Sequence, residues 1–148
     1  MEKYGPLNIL IGFILLVSAS FAGYFLGHDA NQAFIHQTGE LASWGYALRR
    51  SAHGHGNLFG MLHILYGLTL PYSSVGQRTR CWQTVGLSMG SLAMAFVMVI
   101  RAARGVPGVG FDLGGSFVGL LLLGSLTALL SHCFGLAKKV FYPGDKIT

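Results

Sequence analysis

The residues of this chain best suited to chemistry lie in one stretch, Arg49-Arg50-Ser51-Ala52-His53-Gly54-His55-Gly56-Asn57, which runs on through Gly60, Met61, His63 and Tyr66 to Pro71. It begins basic and polar and continues as an apolar run of the kind that crosses a membrane. Ionisable groups inside such a run cost about 2.5–3.5 kcal/mol per charge on insertion scales, and therefore mark function. Histidine is cheaper because it can enter neutral, and neutral imidazole is also the common metal ligand. On a helix His53 and Asn57 share a face that Gly60 and Met61 extend, while His55 lies about 200° round, on the face of Leu58, Phe59, Leu62 and Tyr66. The two histidines cannot hold one metal from a regular helix. A copper or zinc site would need Gly54 and Gly56 to fray the first turn into extended backbone.

A haem asks for one imidazole, a flat apolar slot and cations for its propionates. His53 offers the first, with His55 as the alternative, and Gly56, Gly60 and Met61 offer the second. Arg49, Arg50, Arg101 and Arg104 offer the third, since arginine pairs carboxylates bidentately. Without a Cys-x-x-Cys-His motif the group would be haem b held non-covalently. Asn57 and Tyr66 are the polar groups available for catalysis beside it.

These residues need a scaffold, and composition points to one. Of 148 residues, 52% are apolar and 10% charged, far from the roughly 25% charged of soluble domains. The pattern predicts a single all-α domain, an integral membrane four-helix bundle. Its spans are expected at about 6–27, 52–71, 82–100 and 113–136, with an extramembrane connection at 28–50. That connection would carry a short interfacial helix, with Trp44 and Tyr46 at the membrane boundary. Lys3 and Ser18-Ala19-Ser20 resemble a signal peptide and its cleavage site, but the apolar run continues past them and reads as a span. Long, continuous Leu/Gly-rich runs without alternation argue against a membrane barrel. Asp112 is a candidate N-cap for the last span, after a Gly/Pro loop.

The net charge of +5 does not indicate nucleic acid, because Lys and Arg flank apolar runs instead of forming a stripe. Lys3, Arg78, Arg80, Lys138, Lys139 and Lys146 fall on the face of the termini, against four arginines opposite, which favours cytoplasmic termini in an inner membrane. Cys81 and Cys133 read as free thiols. Gly56/Gly60, Gly86/Gly90 and Gly115/Gly119 each place two glycines on one helix face, which predicts close helix packing in lipid and a homo-oligomer.

Ala52-His53, followed by small residues, Gly60-Met61, an aliphatic run and Leu70-Pro71, resembles the second helix of the styrene-oxide isomerases, small four-helix membrane proteins that bind haem b between the subunits of a trimer. The resemblance covers about twenty residues in detail. It implies that His53 is the axial iron ligand, that the oligomer is a trimer, and that the activity is redox-neutral isomerisation of an apolar epoxide to a carbonyl. The family's asparagine six residues after the ligand is replaced by Phe59, and the aspartate and tyrosine of its third helix have no counterparts. The same stretch, Ala-His-x-His-x-Asn-Leu-x-Gly, is also similar to the haem-ligating helix of the haem–copper oxidase and nitric oxide reductase superfamily, which would favour His55. The alternative function is accordingly a non-catalytic haem or electron-transfer subunit of a larger membrane complex.

Overall fold

The computed structural model describes residues 3–104 and 112–142, and these are all-helical, without a strand among them. Four helices account for nearly all of them: α1 (Tyr4–Ile35), α2 (Trp44–Thr69), α3 (Gln77–Ala103) and α4 (Leu113–Phe141). α1, α3 and α4 are long and apolar enough to cross a membrane. α2 carries Arg49, Arg50, His53, His55, Asn57 and His63, and falls below that apolarity.

The helices are longer than the expected spans. The connection expected at 28–50 is mostly helix: α1 continues through His28, Asp29, Asn31 and Gln32 to Ile35, and α2 starts at Trp44. Polar residues mark where apolarity ends, and nothing in them breaks a helix until Gln37 and Gly39, which take positive φ of 51° and 72°. A short 3₁₀ turn, Glu40–Ala42, completes the reversal, and Ser43 caps α2 by accepting from the Tyr46 N–H at 3.1 Å. α4 likewise runs through Lys138 and Lys139 to Phe141. Asp112 caps α4, its carboxylate accepting from the Gly114 N–H at 3.1 Å. Most of the Gly/Pro loop before it lies outside the described residues.

Packing runs in the order α1, α2, α3, α4, with α1 and α4 sharing no seam. Glycine sets the closest approaches. In the antiparallel α1/α2 pair a Cβ on Gly12 would fall 2.6 Å from the Gly60 carbonyl oxygen, and one on Gly67 would fall 2.6 Å from that of Gly5. In α3/α4 a Cβ on Gly86 would lie 2.9 Å from the Gly124 oxygen, while Ser125 Oγ donates to the Gly86 carbonyl at 2.7 Å. Two of the three expected glycine faces therefore serve seams inside the chain. The third does not: Gly115 packs on Asp112 and Arg101, and Gly119 faces open space.

One helix is irregular. α3 is interrupted by a π-turn, Ala93–Val97, one wider turn inside an otherwise α-helical element. Much of the outer surface is apolar, with Phe13, Phe21, Phe25, Leu120, Leu130 and Phe134 all more than half exposed. Such a surface suits lipid better than water.

Candidate functional site: an apolar cavity at His53

The π-turn of α3 faces the N-terminal half of α2 across a cavity of about 430 Å³. Its floor is Ala52, His53 and Gly56 of α2. One wall is α1, from Leu15 through Ala19 and Ala22 to Phe25 and Asp29, and the other is α3, with Ala95, Phe96, Val99 and Ile100. Small residues make the space: a Cβ on Gly56 would lie 3.4 Å from that of Ala19 and 3.9 Å from that of Ala95. Arg49 and Asp29 are the charged residues in the lining. At the rim Phe25, Phe96 and Ile100 are substantially exposed.

His53 enters this cavity in a defined state. Its Nδ1 lies 2.9 Å from the Ala19 carbonyl oxygen, which can only accept, so Nδ1 carries the proton and Nε2 presents its lone pair. A metal-ligating histidine has this arrangement, one ring N–H bonded to a carbonyl and the other nitrogen available. The ring packs on α1 at Gly23, where a Cβ would fall 2.6 Å from Cε1. Asn57, one turn on, sits beside Nε2 on the same helix, its Nδ2 3.4 Å from that nitrogen. It therefore does not stand across from the ligand.

His55 is on the opposite face, its Nδ1 donating to the Ser51 carbonyl at 2.8 Å, and it lines a separate open groove with Arg50, Tyr46 and Leu58. α2 is continuous through Gly54 and Gly56, so the frayed turn that a shared copper or zinc site would need is not formed. Among the described residues no three of His, Cys, Asp and Glu gather around a point.

Of the four arginines expected to converge, only Arg49 lines the cavity. It pairs with Glu40 at 2.6 Å, and its Nε is buried without a partner among the described residues. Arg101 is committed to Asp112, Arg50 faces the other groove, and Arg104 is exposed at the end of α3. The reason is helical phase: Arg49 and Arg50 are 100° apart and cannot both face one slot. Gly60 is also withdrawn from the slot, because its missing side chain is the space that Leu16 and Gly12 occupy. Met61 is half exposed on the outer side.

Tyr66 belongs elsewhere, roughly 20 Å down α2 from His53. Its hydroxyl donates to Gln83 Oε1 at 2.9 Å, and Gln83 Nε2 donates to Ser131 Oγ at 2.8 Å. Between the two regions His63 is fully buried and bonded at both nitrogens, to Asn8 Oδ1 at 2.8 Å and Ser91 Oγ at 3.1 Å. Asn8 in turn donates to Thr84 Oγ1 at 2.9 Å and the Tyr4 carbonyl at 2.7 Å. His132 Nε2 lies 2.8 Å from Thr69 Oγ1, and its ring meets Tyr66 edge-on at 4.6 Å.

Asp29, Ala19, Gly23 and the α3 wall were not singled out by sequence reasoning. The small residues Ala19, Ala22 and Gly23 on α1 were a usable signal, since bulk is missing there on the side that meets α2. Comparison with family models, curated proteins and solved structures matches none of them to this chain.

Proposed function

We propose that this chain is a membrane-embedded haem b protein in which His53 supplies the single axial ligand. The observation that carries the reading is the place of that ring: His53 lines an apolar cavity made by small residues, with its Nδ1–H spent on the Ala19 carbonyl. Arg49, the arginine in the lining, is the cation suited to a propionate, which would take the place Glu40 holds on its guanidinium. A cavity of about 430 Å³ is nearly three times the ~150 Å³ that takes a benzene, and so accommodates part of a porphyrin. The rest needs cover from outside the chain, which supports a homo-oligomer. A trimer is the form that the likeness to the styrene-oxide isomerases implies.

When bound, haem iron would supply a Lewis acid. His53 would hold it as the one histidine in the cavity lining, which favours redox-neutral isomerisation of a small apolar epoxide over electron transfer between two histidines. The chain's own contribution is to orient the imidazole through Ala19 and Gly23, and to exclude water with Leu15, Phe25, Phe96 and Val99. Asp29 is the carboxylate in the lining. The electron-transfer reading draws support from the remoteness of Tyr66, which leaves the cavity without a phenol.

Purification after expression with added haem tests the proposal. A Soret band that His53→Ala abolishes and His55→Ala retains supports it, as does a high-spin ferric resonance. A chain without a Soret band, or one whose band depends on His55 alone, overturns the assignment. A low-spin bis-histidine resonance moves the function to electron transfer.

A further inference from the structure

The geometry points to Asn57 as a positioning residue that holds the free nitrogen of His53 until a metal takes its place. This inference rests on the haem reading and deepens it. Asn57 Nδ2 donates to the His53 carbonyl at 3.3 Å and lies 3.4 Å from His53 Nε2. The carbonyl can only accept, so the orientation of the amide is decided: nitrogen, not oxygen, faces the histidine. One amide N–H goes to that carbonyl and the other faces the Nε2 lone pair.

The imidazole is thus held from two sides, by the Ala19 oxygen at Nδ1 and by Asn57 at Nε2. A ring flip would put Cδ2 in the place of Nδ1 and Cε1 in the place of Nε2, and so set a C–H against each of those partners. Asn57 therefore selects the rotamer that presents Nε2. The contact is long for a hydrogen bond, near the outer limit of useful geometry. It orients the ring while remaining easy to displace, but a ligand at Nε2 must displace it. Replacing Asn57 removes a competitor from the free protein, so binding tightens while the free ring loses its fixed orientation.

Haemin titration of the full-length chain in detergent micelles, with Asn57→Ala and Asn57→Leu, reads the first effect. Both variants are expected to bind more tightly than the parent, by up to about fivefold, the ceiling set by one net neutral hydrogen bond. Nitrogen-15 spectra of the haem-free protein read the second: the His53 Nε2 resonance moves in both variants toward that of an unbonded imine nitrogen. Unchanged or weaker haemin binding, or an Nε2 resonance that neither variant moves, overturns the inference. If no form takes up haemin while the resonance still moves, the haem reading falls and the hold of Asn57 on Nε2 stands.

Discussion

His53 and His63 lie on one helix, roughly 15 Å apart along its axis, yet the two halves of the bundle treat them oppositely. Around His63 every ring nitrogen has a partner, three helices contribute to one network, and glycine brings α1 onto α2 until their backbones touch. Around His53 one nitrogen is engaged by backbone and the other is met only by a long contact, beside a cavity where α3 widens into a π-turn. Buried polar groups that are fully matched rigidify a core, while incompletely matched ones beside a cavity are where ligands act. A histidine in an apolar helix is thus not one kind of signal. Its remaining lone pair decides which kind it is.

The strongest way to break this contrast is to truncate each histidine. His63→Ala strands Asn8 Oδ1 and leaves a void among packed helices, so it is expected to destabilise the fold by about 3–5 kcal/mol. His53→Ala, beside an existing cavity, is expected to cost less than about 1 kcal/mol. Denaturation in mixed micelles measures both, and equal losses would erase the distinction. Next in size are the seams. Gly67→Ala drives a methyl toward the Gly5 backbone and is expected to cost about 1–3 kcal/mol, whereas Gly119→Ala meets nothing and is neutral or slightly stabilising.

Deleting Ala95 sharpens the comparison from the cavity side. Loss of one residue returns the π-turn to α-helix while the flanking turns keep their partners, so the cavity narrows with little change in stability. Reduced binding of an apolar fluorescent probe, with an unchanged melting temperature, is the expected result. The smallest effect lies outside both regions. The Asp112 carboxyl is held below the usual carboxylate range by the Gly115 backbone N–H first and by Arg101 beside it. A depressed value stabilises the fold above the ordinary carboxylate range and loses that contribution as pH falls below about 4. Asp112→Asn is expected to flatten this acid limb, seen as a smaller drop in melting temperature between pH 5 and pH 3.

The helices, and the opposed faces of His53 and His55, were legible because a rotation of 100° per residue is all they require. The polar run at 28–50 shows the limit of that reading: His28, Asp29 and Gln32 are ordinary helix residues, so they mark a change of environment and not of backbone. The convergence of four arginines failed on helical phase and on a local partner, Asp112, that takes Arg101. The network was out of reach. Asn8, Thr84 and Ser91 each read as a lone polar residue in an apolar run, and only folding brings them from two other helices to His63. The π-turn carries no sequence signature at all, because Ala93-Met-Ala-Phe-Val97 is compatible with plain α-helix.

The modest apolarity of α2 bears on how the chain reaches a bilayer. With three histidines and an asparagine along its length and two arginines near its N-terminus, α2 is less suited than the other three helices to partition into lipid by itself. α1 is strongly apolar and carries Gly5 and Gly12 on the side that receives Gly67 and Gly60. In a bilayer, α1 and α2 would therefore be expected to integrate together as a hairpin, with the first helix acting as the intramolecular chaperone of the less apolar second.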